Sequence, residues 1–196
     1  MTQNIAVSPS AQALIFDIDG TLADTMPTHF KAYRKILGEY GVDFTHELFL
    51  SFAGMPVIPQ MYKIKEMFNP SDFIPEQVAA AKEDLYYKSI DTTQAIKEVV
   101  DVFNRYYGKM PIACGTGGER RIANRTLEVI GLFDKVDAIV TSDDVVHGKP
   151  NPETFLKCAN LLNVEPVFCQ VFEDADPGIE AAKAAGMIVC DIRKYL

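Results

Sequence analysis

The chain lacks the excess of positive charge that marks proteins bound to nucleic acid. Its 196 residues include 19 Lys and Arg against 27 Asp and Glu, a formal net charge of −8. A phosphate backbone attracts proteins through clustered Lys and Arg. The charge balance therefore argues against nucleic acid as a partner.

Cysteines are few, and no two of them form a CxxC pair. Three of the four lie inside apolar runs, where a free cysteine behaves as a small buried hydrophobic side chain. The sequence therefore predicts neither a zinc site nor a disulfide framework, and it favours a reducing cytoplasm. The four are Cys114, Cys158, Cys169 and Cys190.

Long apolar segments are missing as well. No apolar run approaches the roughly 20 residues that a membrane-spanning helix needs. The first ten residues, MTQNIAVSPS, lack the basic region and apolar segment of a signal peptide. We therefore expect a soluble cytoplasmic protein that has no membrane partner.

Short apolar runs, in contrast, recur along the chain and alternate with helical patterns. Each run is a candidate buried strand. This alternation predicts βαβ units, and so an α/β fold with a Rossmann-like three-layer core in which helices cover both faces of a parallel sheet. The predicted strands are 13–16, 110–115, 138–142, 168–173 and 187–192, and the predicted helices are 93–107, 119–130, 152–162 and 178–185.

One interval, residues 23–92, interrupts this alternation. It contains helical patterns and no convincing strand, although a parallel sheet needs no such length of helix after its first strand. We therefore predict an all-helical cap domain at 23–92, inserted into a core domain made of 1–22 and 93–196. The alternative is that these helices pack on a face of the sheet.

Two carboxylates, Asp17 and Asp19, follow the first predicted strand directly. Ligands of parallel α/β sheets bind at the carboxyl ends of the strands. Gly20 allows the backbone to turn sharply there. Two neighbouring carboxylates repel each other unless a cation is close, so the sequence predicts a cation at this edge.

Later strand ends carry further polar groups. Thr116 and two glycines follow one strand, Lys149 lies in the segment HGKPNPE, and Glu173 and Asp174 end another strand. A hydroxyl, glycine N–H groups and an ammonium are phosphate ligands, and clustered carboxylates are Mg²⁺ ligands. Together these groups predict metal-assisted phosphoryl transfer.

The ordered set DxDGT, a strand-ending Thr, GKP and VFEDADPGI resembles the haloacid dehalogenase superfamily. The insertion after the first motif is similar to the alpha-helical cap class of that superfamily. Within it the chain looks most like the beta-phosphoglucomutase-like branch, and in that branch like the small bacterial fructose-1-phosphate/6-phosphogluconate phosphatase type. The resemblance covers nearly the whole chain. It implies a phosphoric monoester hydrolase that acts on a small sugar or polyol monophosphate, and we expect a monomer or weak dimer.

The resemblance also implies how the acidic residues share the chemistry. Asp17 is the nucleophile that forms an aspartyl-phosphate, and Asp19 is the general acid/base. Mg²⁺ is held by Asp17, by the backbone carbonyl of Asp19 and by Asp174, with Glu173 bound through water or in the second shell.

Phosphate contacts follow from the same resemblance. Thr116 and the N–H groups of Gly117 and Thr21 are expected to hold the transferred phosphoryl group. Lys149 is expected to link that group to the nucleophile. For Thr116 the alternative is an ordinary helix cap.

Substrate choice is expected to come from the cap. His29 on the first cap helix is a candidate ligand for a sugar hydroxyl, or else a surface residue of that helix. The Gly54–Pro56 turn faces the core site in this family.

Two other activities stay open. A beta-phosphoglucomutase-type isomerase must hold both ends of a bisphosphate, and here GGER and GMPV replace the Asn-containing segment and the cap Arg that do so in characterised mutases. Simple hydrolysis is favoured unless Arg120 or Arg121 compensates. The third reading, a phosphate-binding protein without activity, leaves the nucleophile and acid/base pair without a purpose.

Overall fold

The computed structural model of the protein describes residues 4–52 and 55–196. The chain divides into two compact units. Unit 1 consists of Met1–Asp24 and Gln94–Leu196, and unit 2 is Thr25–Thr93. That residues 23–92 form a domain of their own stays a prediction, because compactness alone does not show independent folding.

The described residues form seven strands and eight α-helices. The strands are β1 Ala13–Phe16, β2 Ala23–Asp24, β3 Gln94–Ala95, β4 Ile112–Gly115, β5 Ala138–Val140, β6 Cys169–Glu173 and β7 Ile188–Asp191. The helices are α1 Met26–Gly38, α2 His46–Ser51, α3 Val57–Phe68, α4 Pro75–Ser89, α5 Lys97–Tyr106, α6 Arg120–Val129, α7 Glu153–Leu162 and α8 Asp176–Ala184.

A five-stranded parallel sheet is the centre of unit 1, with strand order β5-β4-β1-β6-β7. The first predicted strand, β1, is the middle one. Phe16 at its end lies opposite Cys114 of β4 on one side and Phe172 of β6 on the other. The carboxyl ends of these three strands therefore meet at one edge, and the predicted parallel α/β core is confirmed.

Alternate residues of each strand supply the two faces of this sheet, because successive side chains of a strand point to opposite sides. Phe16 packs on one face with Phe172, at a ring centroid distance of 4.6 Å, and with Phe103 of α5. Ile15 packs on the other face with Phe155 of α7. Each fully buried side chain of this size contributes about 1.5–3 kcal/mol to the free energy of unfolding. The helices thus complete three layers.

A short antiparallel pair, β2 with β3, corrects the predicted elements at the boundary of the insertion. Ala23 lies opposite Ala95, and Asp24 lies opposite Gln94. The prediction of no strand between residues 23 and 92 was wrong at Ala23–Asp24. The helix predicted over 93–107 is present as α5, but it begins later, at Lys97, after β3. Two-residue strands are too short to leave a period in the sequence.

The regular secondary structure of the described residues in unit 2 is all helical, with α1, α2, α3, α4 and a 3₁₀ turn at Ile90–Thr92. The helices enclose an apolar cluster of their own. Asn69 ends α3 in the left-handed conformation that often terminates a helix. The buried cluster includes Tyr33, Leu37, Phe44, Phe52, Met61, Ile64, Phe73 and Val78.

All four cysteines are buried and free. Burial raises the pKa of the Cys158 thiol to about 12 and those of Cys169 and Cys190 to about 11. The thiols therefore stay protonated and unreactive near neutral pH.

Over residues 4–52 and 55–196, no α-helix combines the length and the apolar character that crossing a bilayer requires.

Candidate active site

The site lies at the carboxyl end of the sheet in unit 1. Asp17 comes directly after β1, and Thr116 comes directly after the neighbouring β4. On the other side of β1, Glu173 is the last residue of β6 and Asp174 follows it. Sheet order alone thus brings four predicted site residues to one edge.

A tight turn after β1 places the first motif against Asp174. Ile18 O accepts hydrogen bonds from the N–H groups of Leu22 and Ala23, both at 3.0 Å. Gly20 has φ +84°, and a Cβ at this position would lie 2.3 Å from Asp174 Oδ2. Only glycine combines this conformation with so close an approach.

Lys149 connects two of the acidic residues. Its Nζ lies 2.7 Å from Asp17 Oδ1 and 2.7 Å from Glu173 Oε2, and its side chain is 9% exposed. Burial acts to lower the pKa of Lys149, but the charges of Asp17 and Glu173 outweigh it and raise that pKa. The side chain is therefore a fixed ammonium between two carboxylates.

Glu173 is fully engaged. Oε2 accepts from Lys149, and Oε1 accepts from the N–H groups of Asp174 at 3.2 Å and Ala175 at 3.0 Å. The carboxylate packs against Gly178, where an added Cβ would lie 2.0 Å from Oε2. This glycine of α8 therefore leaves the room that the Glu173 side chain occupies.

Three carboxylates, those of Asp17, Glu173 and Asp174, form a cluster that can hold a metal ion. One oxygen from each lies within 4.8 Å of the others. Burial, followed by the charge of Glu173, raises the pKa of Asp17 well above its usual value and that of Asp174 to about 6. Three carboxylates face one ammonium, so the cluster has the negative charge and the oxygen donors that suit a hard divalent cation.

The hydroxyl of Thr21 supports this cluster, a role that the sequence did not predict. It donates to Asp174 Oδ1 at 2.8 Å. The Thr21 N–H, predicted to hold phosphate, donates to Ile18 O at 3.3 Å. The motif DxDGT carried the signal for Thr21, but only the fold shows that its hydroxyl reaches a residue 153 positions away.

Thr116 links the loop after β4 to the second aspartate. Its Oγ1 donates to Asp19 Oδ2 at 3.3 Å and accepts from Gly118 N at 3.0 Å. The hydroxyl is thus turned toward Asp19, and Glu119 rather than Thr116 precedes the first residue of α6. Gly117, which follows Thr116, is exposed.

In unit 2 the structure places His29 in a polar cluster rather than alone on a helix surface. Its ring stacks on Tyr86 at a centroid distance of 3.7 Å, and its Nδ1 lies 2.8 Å from Lys82 Nζ. Lys82 is 1% exposed and pairs with Glu83 at 2.8 Å. The helical pattern alone did not reveal that Lys82 is buried, because a lysine on a helix is usually solvated. Gly54 of the predicted cap turn lies outside the described residues.

Arg120 is held within unit 1. Its Nη1 donates to Ile139 O at 3.0 Å, and its Nη2 is paired with Asp144. The guanidinium that the sequence left open as a ligand for a second phosphate is therefore already engaged by protein groups.

Known proteins share this organisation. A family model described as haloacid dehalogenase-like hydrolase matches residues 14–192. Fructose-1-phosphate phosphatase YqaB of Escherichia coli K12 is 42% identical over 92% of this chain and 95% of its own. A phosphorylated carbohydrates phosphatase of Thermotoga maritima is 32% identical over 90% and 82%. The solved beta-phosphoglucomutase of Clostridium difficile covers 91% of this chain and 83% of its own, with a TM-score of 0.79 and 28% identity.

Proposed function

Because this chain belongs to the haloacid dehalogenase-like hydrolase family and is a phosphoric monoester hydrolase, we propose that it hydrolyses a small sugar or polyol monophosphate. We further propose that the reaction depends on Mg²⁺ and passes through an aspartyl-phosphate. The observation that carries this proposal is the contact of Lys149 Nζ with both Asp17 Oδ1 and Glu173 Oε2, each at 2.7 Å, beside Asp174.

The oxygen donors of Asp17 and Asp174 fit Mg²⁺, with Glu173 beside them. Bound there, the ion would neutralise charge on the transferred phosphoryl group. The raised pKa values of Asp17 and Asp174 support the assignment, because buried carboxylates crowded together are stabilised by a cation. The backbone carbonyl of Asp19 is the further protein ligand that we propose.

Asp17 is the proposed nucleophile. A carboxylate oxygen attacks phosphorus, the bond between phosphorus and the ester oxygen breaks, and Asp19 gives its proton to the leaving oxygen. Water then attacks phosphorus, Asp19 takes a proton from that water, and the bond to Asp17 breaks to release phosphate. Lys149 keeps Asp17 ionised and oriented for the first attack, and it holds the acyl phosphate in place while water attacks in the second step.

The loop after β4 is the proposed holder of the phosphoryl oxygens. Thr116 offers a hydroxyl next to Asp19, and Gly117 is exposed and offers an N–H group. Thr21 lies in the turn after β1, where its hydroxyl donates to Asp174; its N–H, which donates to Ile18 O at 3.3 Å, is proposed as a further phosphate contact. Pre-oriented donors of this kind stabilise charge that develops in the transition state.

The class of substrate is supported by the relatives, two of which are named for sugar or carbohydrate phosphates. We propose His29 as a cap residue that contacts the organic part of the substrate. Its ring orientation is set by stacking on Tyr86 and by the 2.8 Å contact of Nδ1 with Lys82 Nζ. We also propose a cytoplasmic protein, which the four free buried cysteines support.

Phosphate release from a panel of sugar and polyol phosphates, with and without Mg²⁺, tests the proposal. We expect release that needs Mg²⁺ and is lost in Asp17→Asn, whose amide cannot form the acyl phosphate. Asp101→Asn is the matched control, because it makes the same change on the exposed side of α5. Full turnover in Asp17→Asn, or equal turnover after the metal is chelated, would contradict the mechanism.

Mutase activity is the second candidate, favoured by the likeness to a beta-phosphoglucomutase structure. β-Glucose 1-phosphate supplied with a bisphosphate primer decides between the two. We expect free glucose and phosphate; glucose 6-phosphate as the main product would establish the mutase instead. The engagement of Arg120 by Asp144 supports hydrolysis.

A further inference from the structure

Two neighbouring loops at the edge of the sheet are joined by hydrogen bonds. β4 and β5 are paired strands, so the loop that begins at Thr116 and the loop that begins at Thr141 lie side by side. The first is the proposed phosphate-binding loop, residues 116–118. In the second, Lys149 is the first residue that has a role in the proposed chemistry.

Gly118 is the point of contact between the two loops. Its carbonyl oxygen accepts two hydrogen bonds from Ser142, from the N–H at 3.0 Å and from the hydroxyl at 3.1 Å. Its own N–H donates to Thr116 Oγ1 at 3.0 Å. Both peptide groups of Gly118 are therefore fixed, and one of them fixes the Thr116 hydroxyl.

Asp144 orders the loop that carries Ser142. Its Oδ2 accepts from the N–H of Thr141 at 2.8 Å and from the Thr141 hydroxyl at 2.9 Å, and it pairs with Arg120. Burial acts to raise the pKa of Asp144, yet the hydrogen bonds from Thr141 and the charge of Arg120 lower it on balance. The Asp144 carboxylate is thus held ionised, and its bonds to Thr141 close the turn that contains Ser142.

Arg120 completes the connection from the opposite side. It is the first residue of α6, two positions after Gly118, and its N–H donates to Asp143 at 2.9 Å. Its side chain reaches Asp144 and Ile139 O. The start of α6 and the end of the phosphate-binding loop are therefore tied to the same four-residue segment, 141–144.

We propose that Arg120, Ser142 and Asp144 form a clamp that positions the phosphate-binding loop for phosphoryl transfer. The clamp residues do not touch the reacting groups. They hold Gly118, and through it the Thr116 hydroxyl and the adjacent N–H of Gly117, where the phosphoryl oxygens are bound. The inference rests on the proposed function for its effect on turnover, but the clamp itself is a property of the two loops.

Asp144→Asn tests the clamp because it keeps the shape of the side chain and removes its charge. Glu128→Gln on α6 is the matched control: it also neutralises a partner of an arginine on that helix, in an exposed pair with Arg125 at 2.9 Å. Since misplacement of binding groups by about 1 Å costs up to about 100-fold, we expect Asp144→Asn to lower kcat/KM between about 10- and 100-fold. Glu128→Gln should stay within about twofold of the wild type.

Two further measurements separate positioning from loss of folded protein. The inhibition constant of inorganic phosphate should rise in Asp144→Asn, and amide hydrogen exchange of Gly118 and Ser142 should quicken while strand β1 stays protected. Ser142→Ala removes one of the two bonds to Gly118 and should show a smaller effect in the same direction. Arg120→Lys keeps the charge and should recover part of the activity that Arg120→Ala loses.

Equal amide protection in Asp144→Asn and Glu128→Gln, or unchanged phosphate inhibition, would overturn the clamp. So would a drop in activity that only follows the unfolded fraction measured by urea titration. If the wild type hydrolysed no phosphate ester, the proposed function would fail, and the exchange of the Gly118 and Ser142 amides would still decide whether the clamp exists.

Discussion

Replacement of Gly178 by alanine should displace the Glu173 carboxylate from its place beside Lys149. The added Cβ would lie 2.0 Å from Glu173 Oε2, whereas ordinary contacts begin at 3.4 Å, so the carboxylate must move by about 1.4 Å. The 2.7 Å contact between Lys149 Nζ and Oε2 cannot survive such a shift. Lys149 then keeps Asp17 as its one remaining carboxylate contact in the described site.

This change should lower activity in a protein that still folds. Misplacement of a catalytic group by about 1 Å costs up to about 100-fold in rate, or about 2.7 kcal/mol in the activation free energy. A weakened buried hydrogen bond destabilises the fold by about 1–3 kcal/mol, while alanine in a helix is favoured over glycine by up to about 1 kcal/mol. The free energy of unfolding should therefore fall by no more than about 3 kcal/mol.

The assay is kcat/KM for a sugar phosphate at saturating Mg²⁺, with urea unfolding of the same preparations. Gly38→Ala is the control, because Gly38 also lies in a helix and an added Cβ there meets nothing within 4 Å. Gly38→Ala should leave activity unchanged. If Gly178→Ala kept its activity within about threefold of the wild type, the role given to the Glu173–Lys149 contact would be refuted.

Three other predictions concern charge. Lys149→Met should lower kcat by about 100-fold or more, because it removes a pre-oriented cation from the site, and steady-state kinetics measures it. Burial raises the pKa of Asp174 in the folded protein to about 6, above its ordinary value of about 3.9. Between pH 4 and pH 6, therefore, Asp174 is ionised in the unfolded chain and protonated in the folded one. The metal-free protein should lose about 3 kcal/mol of stability from Asp174 as the pH rises through that window, and Mg²⁺ should stabilise the protein increasingly over the same window. Unfolding at pH 4 and pH 6.5, with and without Mg²⁺, measures both effects. A stabilisation by Mg²⁺ that did not change with pH would contradict the prediction. Lys82→Met should lower the free energy of unfolding by about 3–5 kcal/mol because it removes the buried ammonium that pairs with the half-buried Glu83. Urea unfolding measures this, and Lys82→Met with Glu83→Gln should recover part of the loss.

The parallel sheet and the residues at its edge were predictable because both depend on local patterns. The run 13–16 is apolar and ends at Asp17, and the structure gives β1 these same bounds. The polar residue that follows a strand is its neighbour in sequence. Because parallel strands all end at the same edge of the sheet, the polar residues that follow them lie close together there.

Contacts between distant residues were beyond sequence reasoning. The contact of Lys82 with His29 joins residues 53 positions apart, and the bond of Ser142 to Gly118 joins residues 24 positions apart. Neither leaves a period or a motif in the chain. The hydroxyl of Thr21 shows the same limit, since its type was visible and its partner was not.

The pairing of β2 with β3 has a consequence for how this chain can change. Asp24 and Gln94 sit opposite each other in adjacent antiparallel strands, so the backbone leaves unit 1 and re-enters it at a spacing of about 5 Å. A tight reverse turn could therefore connect β2 to β3 directly. So could another inserted domain whose termini lie equally close, and neither would change the five strands of the parallel sheet. The insertion between Asp24 and Gln94 can thus be replaced while the acidic residues at the edge of the parallel sheet stay in place.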